Sequence, residues 1–378
     1  VSGLTSDGGT TPVNTDDVIV TDTNGDGTGD AILTFPGGES ITLVGVLASQ
    51  VDGVDELVSL GIPDGRNYIV EGTAGADVIN AGYLGDPEGD RIDNNDALDG
   101  SNDDSVQAGA GNDSIFSGIG NDTIDAGTGD DTVNADAGDD VVYAGDGNDT
   151  VHAGSGNDQV FGDAGNDLIF GYDGNDTISG GDGADIMNGM TGDDLLDGGA
   201  DNDTFVTEGG FGNDTVIGGE AVTSGTDYDT IQLNTVSVTA PVAVTFTADE
   251  AGTLTTGANT LDFSEIERLE LADNNDTVDG TVTTTGIDIN AMGGDDSVLG
   301  GSGDDTVNGG TGNDTITGGQ GADSITGGTG DDVIQAARAT QSLAEMATTP
   351  LTLPIWARQV PVQSPSTAAK AARPTATR

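Results

Sequence analysis

The chain has 378 residues, 67 of them acidic against 8 Lys and Arg, for a formal charge of −59, with 64 Gly, no Cys and aromatic residues at 4%. This excludes disulfides, thiol catalysis and thiolate metal sites, and it excludes nucleic acid and anionic membrane surfaces as partners, because both repel a polyanion. No apolar run reaches the roughly 18 residues of a membrane span, and low hydrophobicity with high net charge ordinarily leaves a chain disordered, so the first question is what neutralises the charge.

Val1 to Thr10 lacks the basic and apolar stretches of a secretory signal and there is no initiator Met, which reads as a processed or truncated chain. Residues 1–66 read as a small N-terminal β region, with short strands expected at Val18–Val20, Ala31–Phe35 and Ile41–Leu47. Between the first two, Asp22, Asn24, Asp26 and Asp30, with Gly27 at the bend, follow the D-x-[DN]-x-D-G spacing of a calcium loop. Leu33 stands where a helical loop of that type carries its bidentate Glu, so two readings remain: a strand–loop–strand calcium site similar to those of FG-GAP-type repeats, and a plain Asp- and Gly-rich hairpin. Residues 67–98 hold lead-in repeats, with one complete nonapeptide at Gly72–Asn80 around Asp77.

Residues 99–217 form the first array. Aspartate recurs every nine residues at Asp104, Asp113, Asp122, Asp131, Asp140, Asp149, Asp158, Asp167, Asp176, Asp185, Asp194 and Asp203. Two residues after each stands an apolar side chain, from Val106, Ile115 and Ile124 to Met187, Leu196 and Phe205, and two residues before it there is usually Gly. Glycine permits the positive φ of a tight turn, and a triplet such as Thr123-Ile124-Asp125 suits a short strand with one inward side chain. Two such units close one flattened coil of 18 residues, so the aspartates fall into two rows. Asp104, Asp122, Asp140, Asp158, Asp176 and Asp194 line one edge, and Asp113, Asp131, Asp149, Asp167, Asp185 and Asp203 the other.

Carboxylates stacked at strand spacing, about 4.8 Å, repel unless a cation lies between them. Calcium suits the position, because it takes six to eight oxygens and turn carbonyls can complete its shell. Magnesium wants a stricter octahedron, and zinc wants His or Cys. The spacing corresponds to on the order of ten ions in the first array and about three in the second. The alternative is a metal-independent solenoid with a solvated acidic edge.

Residues 218–290 break the nine-residue frame. Thr- and Val-rich runs, including Thr235–Val238, Val242–Thr247 and Phe263–Leu271, are expected to continue the solenoid as longer, calcium-free coils, with an isolated repeat at Asp276 and Val278, in one interrupted roll or two stacked ones. The second array, residues 291–335, restores the phase at Asp296, Asp305, Asp314, Asp323 and Asp332. The tail, residues 336–378, is rich in Ala and Pro, and Pro350, Pro354, Pro361, Pro365 and Pro374 prevent a long helix. It reads as a secretion-related segment, a disordered linker or the product of an altered reading frame.

The unit G-G-x-G-x-D-x-U-x stands nearly intact as Gly300–Asn308 and Gly309–Thr317, and on these residues the chain resembles the RTX family of hemolysin-type calcium-binding nonapeptide repeat proteins. The resemblance implies an all-β, right-handed parallel β-roll, multiple bound Ca2+ ions held by the sixth-position Asp and neighbouring carbonyls, and type I secretion into the medium or onto the cell surface of a Gram-negative bacterium. Asp136, Asp163, Tyr172 and Met190 replace the second Gly of their units, and Asn102 and Asp201 the fourth, where weaker binding is expected.

Chemistry is otherwise sparse. HExxH is absent, no Ser is flanked by Gly at both two-residue offsets, and His152, the single histidine, falls at an outward strand position. Sequons such as Asn121-Asp122-Thr123 fall out of the repeat, and ice binding would want a uniform outward Thr row where Ala110, Ile119, Thr128, Ala137 and Asp146 stand. The expectation is a non-enzymatic, secreted calcium-binding protein that folds on binding the ion. The alternatives are the repeat module of a larger secreted polysaccharide epimerase or hydrolase, and a surface-layer or adhesin protein with a polysaccharide or a second copy as partner.

Overall fold

Each nonapeptide of the arrays gives three to six residues to a strand and the rest to a turn, too few for a hairpin and just enough to reverse the chain once. Strands therefore pair with the coil above and the coil below rather than with their sequence neighbours. The computed structural model describes residues 19–22, 30–34, 40–47, 69–85, 92, 102–219 and 228–335. Residues Asn24 and Asp26 of the suggested calcium loop, and the whole tail from 336 to 378, lie outside them.

Two separate units are present. In the N-terminal one, strands Ile19–Asp22, Asp30–Thr34 and Ser40–Leu47 form a three-stranded antiparallel sheet in sequence order, with Ile19 opposite Thr34 and Asp22 opposite Ala31. Ala31 and Leu33 are buried in it, so the position that would carry a bidentate Glu is a core position. Asp22 closes one strand and Asp30 opens the next, on either side of the undescribed loop.

The second unit is a parallel β-solenoid of two stacked sheets, and no helix occurs among the described residues. Sheet A runs from Val70–Glu71 to Val333–Gln335 and sheet B from Val78–Ile79 to Ser324–Thr326, with 15 and 12 strands among the described residues. The register is strict: Val142 pairs with Ile124 on one side and Val160 on the other, and Val151 with Val133 and Ile169. Within the arrays the inward residue of each triplet thus falls on its counterpart 18 residues away. Ile115, Ile124, Val133, Val142, Val151, Val160 and Ile169 are all 0% exposed and form the core between the sheets.

Sheet A departs from the expected parallel coils over residues 242–264. Val242–Ala248, Ala251–Thr256 and Asn259–Ser264 form an antiparallel meander. Its last strand lies parallel to Asn213–Ile217 and its first parallel to Thr277–Asp279, so the meander bridges the two arrays within one sheet. Sheet B stays parallel past it, from Thr204–Thr207 through Thr230–Leu233 and Arg268–Glu270 to Asp288–Asn290. The reversals sit at Glu250 (φ 55°) and Gly257 (φ 64°), where left-handed backbone allows a tight turn. Phe246 and Phe263 pack edge to face inside it, with ring centroids 5.5 Å apart. Both arrays therefore belong to one continuous roll.

Because each coil touches only its neighbours, damage to one core layer is felt by the stack. Ile169→Ala, at a fully buried position, is expected to cost about 2–5 kcal/mol, whereas Gln159→Ala, on the exposed face, stays within about 0.5 kcal/mol. Chemical denaturation of the two variants against the parent chain checks this, and equal midpoints would contradict the inward–outward assignment.

Candidate metal centre

The turns between strands set the chemistry. In the first array the backbone N–H of each repeat aspartate donates to Oδ1 of the aspartate one coil later: Asp113 to Asp131 at 2.7 Å, Asp140 to Asp158 at 2.8 Å, Asp149 to Asp167 at 2.7 Å and Asp176 to Asp194 at 2.9 Å. These bonds bring the predicted aspartates into the two expected rows, Asp104–Asp122–Asp140–Asp158–Asp176–Asp194 and Asp113–Asp131–Asp149–Asp167–Asp185–Asp203. The second array repeats the arrangement through Asp296, Asp314 and Asp332, and through Asp305 and Asp323. The aspartates from Asp113 to Asp203 are at most 3% exposed.

In twelve of these carboxylates one oxygen is thereby used and the other is not. Oδ2 of Asp113, Asp131, Asp140, Asp149, Asp158, Asp167, Asp176, Asp185, Asp194, Asp276, Asp296 and Asp314 is buried with no hydrogen-bond partner. At Gly171 the space a Cβ would occupy is overlapped by Oδ2 of Asp176 and by the carbonyl oxygen of Gly189 in the next coil. The same convergence of a carboxylate oxygen and a carbonyl oxygen recurs at Gly162 and Gly180. Oxygens crowd there with no N–H between them, which is unfavourable until a positive charge enters. The donor set is all oxygen, which fits a hard cation such as calcium and not zinc. Among the described residues no three His, Cys, Asp or Glu side chains converge on one point, so such an ion would draw on stacked aspartates together with turn carbonyls.

The turn survives where the glycine pattern fails. Asp136, Asp163, Tyr172 and Met190, in the second-Gly position, take φ of 69°, 69°, 77° and 68°, and Asp201, in the fourth, takes 79°. Each holds the left-handed backbone that glycine would adopt freely, at a cost of about 1–2 kcal/mol. Gly165, at φ 137°, has no such option, because a Cβ there would collide with the carbonyl of Gly147.

A second ladder was not foreseen. The residue before most of the aspartates, Asn or Asp, accepts the backbone N–H of its counterpart one coil later: Asn121 Oδ1 from Asp139 at 3.0 Å, Asp139 from Asn157 at 2.7 Å and Asn157 from Asn175 at 3.0 Å. It explains the recurrent Asn-Asp pair that also spells the sequons.

Site residues were missed as well. Asp214 accepts the N–H of Asp194 (3.1 Å), Asp229 that of Asp203 (2.7 Å), and Glu267 that of Asp229 (2.6 Å), so both rows continue past the nine-residue phase. Asp276 belongs to a row rather than standing alone, accepting the N–H of Val242 and donating its own to Asp296, both at 2.8 Å. The triplets Asp214-Thr215-Val216 and Asp229-Thr230-Ile231 carry the repeat's Asp-x-apolar signal; only the broken spacing hid them. Asp77 donates its N–H to Asp113 Oδ1 at 2.7 Å, but its own Oδ2 already accepts the N–H and hydroxyl of Thr73.

Burial shifts the row carboxyls upward, to about 6 at Asp131, Asp185, Asp194 and Asp296, to about 7 at Asp140, Asp167, Asp176 and Asp276, and to about 8 at Asp214. Desolvation is the largest cause in every case, and the donated backbone N–H opposes it. At Asp140, Asp167 and Asp176 the stacked neighbours of the same row add repulsion that raises the pKa further.

Residues 98–221 and 288–334 match the RTX calcium-binding nonapeptide repeat in overlapping copies. Among solved structures the chain is similar, at 17% identity and a TM-score of 0.19, to a hyperactive, Ca2+-dependent, β-helical antifreeze protein from an Antarctic bacterium, over 72% of this chain and 85% of that one. No curated protein sequence matches.

The shifts carry a sign. These carboxyls titrate near 3.8 when exposed and at about 6 to 8 in the roll, so the folded form binds more protons. Their contribution is complete below about pH 4 and is lost as pH rises through 6 to 8. In chelator the chain is therefore expected to hold more β structure at pH 5 than at pH 8, and saturating divalent cation is expected to remove that difference by replacing the protons. Cation-free β content, by circular dichroism, that rises from pH 5 to pH 8 would overturn the assignment.

Proposed function

Since residues 98–221 and 288–334 carry RTX calcium-binding nonapeptide repeats, we propose that the chain works outside the cytoplasm as a binding protein without catalytic activity, whose fold is conditional on calcium. One observation carries the proposal: the buried, unpartnered Oδ2 atoms of the twelve aspartates named above, Asp113 to Asp314. An unsatisfied buried polar group costs about 1–3 kcal/mol, and more if charged. A dozen of them therefore outweigh the 5–15 kcal/mol that typically holds a domain together. The ionised roll needs a cation to stand.

Calcium, when bound, supplies the positive charge and the coordination that the paired oxygens lack. The chain's own residues do the rest. Aspartates from successive coils present Oδ2, their Oδ1 atoms are fixed on backbone N–H groups, and the turn glycines bring carbonyls close. Ion binding is then folding free energy, accumulated over many sites by mass action. At cytosolic calcium levels repulsion among 67 acids keeps the chain open, in a form that a type I secretion apparatus can thread. At millimolar calcium outside, the roll closes. A carboxylate spacing set by the 18-residue coil admits calcium and leaves magnesium, with its stricter octahedron, a poor substitute.

Calcium titration of the chelated chain, followed by far-ultraviolet circular dichroism and hydrodynamic radius with ion counting at the end point, tests this. A cooperative gain of β structure with compaction is expected, reversed by EDTA and not reproduced by magnesium. Asp149→Ala, which removes one carboxylate from the middle of a row, is expected to lower the stoichiometry by about one ion and flatten the cooperativity. A chain equally folded with and without calcium would end the proposal.

A further inference from the structure

The outer face of sheet B carries a groove that the calcium rows do not use. Phe116, Asn134, His152 and Phe170 fall on one another in successive coils. Beside them Asp136, Gly154 and Tyr172 occupy the second turn position of three successive coils. The missing side chain at Gly154 leaves a notch between Asp136 and Tyr172, and the cavity so formed measures about 670 Å3.

Two of its walls are held at a cost. Tyr172 and Asp136 both sit at left-handed φ, 77° and 69°, in a position where Gly154 has 120°. They are two of the repeat positions that keep this backbone without glycine. For Tyr172 the left-handed backbone brings its ring 5.8 Å from that of His152 and its hydroxyl to 3.0 Å from Nδ1. His152 in turn stacks on Phe170 at 5.2 Å and 4°, so its other face looks along the stack toward the short Asn134 and, beyond it, Phe116. Phe116 and Tyr172 remain 40% and 37% exposed.

The dimensions are those of a slot for a ring. Phe116 and His152 are two coils apart, about 9.6 Å at about 4.8 Å per coil. A puckered ring touching both walls at about 3.5–4.0 Å fits that gap. The floor and side offer hydrogen-bonding groups, Thr132 and Asn134 below and Asp136 alongside, whose Oδ1 accepts the Asn134 amide at 3.0 Å. A chain with a formal charge of −59 and two carboxylates, Asp136 and Asp173, in this lining repels an anionic ligand. A simple cation would be drawn to the whole acidic surface without selecting this place.

We propose that this groove binds a neutral, pyranose-based glycan, its C–H faces against the rings of His152, Phe116 and Tyr172 and its hydroxyls on Asn134, Asp136 and Thr132. The site lies on the outer face of the roll and does not rest on which cation fills the rows.

His152 is the only histidine, so its ring protons give one assignable NMR signal. The full chain in calcium is titrated with neutral cello-, malto-, xylo- and chito-hexaose, and with oligogalacturonate and tetramethylammonium as anionic and cationic probes. One neutral series is expected to move the signal saturably, and Kd to rise at least tenfold in Tyr172→Gly and in Phe116→Ser. Tyr172→Gly restores the repeat's own glycine, so loss of binding there cannot be ascribed to a broken fold, and circular dichroism in calcium confirms it. The proposal is overturned if no neutral oligosaccharide moves the His152 signal, if both variants bind as the parent does, or if oligogalacturonate or tetramethylammonium binds in preference.

Discussion

Everything in the roll follows from stacking like charges where they cannot be solvated. Coils pair at strand spacing, which places a carboxylate above a carboxylate, and burial then removes the water that would screen them. Along most of the rows one oxygen is satisfied by the N–H of the coil before, while Oδ2 of residues such as Asp167, Asp176 and Asp185 is left near carbonyl oxygens. The upward pKa shifts of the row carboxyls, dominated by desolvation, express the same conflict. A proton relieves it one oxygen at a time, whereas a divalent cation relieves it for two coils at once and joins them. That difference makes the repeat a calcium device rather than merely an acidic solenoid.

Two hydrogen-bond ladders of opposite sense reinforce the stack. In the aspartate rows an N–H points forward to the side chain of the following coil, as from Asp140 to Asp158. In the Asn/Asp ladder beside them it points back to the preceding coil, as from Asn157 to Asp139. Neighbouring residues of one turn are thus bound to the coil above and the coil below. A turn so held resists tilting, which accounts for the retention of its backbone at Tyr172 and Met190, where glycine is missing and the left-handed φ must be imposed.

The architecture of the arrays was legible because nine residues leave no freedom. An aspartate, an apolar residue two places on and a glycine two places before specify a turn, a strand and an edge, and the rows of Asp104 to Asp203 follow by counting. Where counting stopped, so did the reading. Asp214 and Asp229 hold row positions but follow insertions, and Glu267 holds one with a longer side chain. Alternation of the kind seen in Val242–Ala248 marks a half-buried strand whichever way its neighbour runs, so the antiparallel meander could not be told from a long parallel coil. The Asn ladder was hidden in plain view, because its residues also satisfy a sequon and a turn preference. The groove at Tyr172 was invisible for a different reason: it depends on the direction of a ring, which a left-handed φ decides.

The meander makes the joining of the two arrays a matter of packing rather than of ions. In sheet A the acid row ends at Asp214 and resumes at Asp276, whose Oδ1 takes the N–H of Val242 where the earlier coils have an aspartate. In sheet B the row runs one step further, to Glu267, and the next coil donates from Ile287 to Asp305. The breaks are staggered, so neither edge offers an unbroken line of carboxylates across residues 242–287. Over that stretch the core carries large apolar side chains instead, with Phe246, Leu254, Leu261, Phe263, Ile266 and Leu269 in one cluster. Hydrophobic burial takes over where ion coupling lapses, and it needs no calcium.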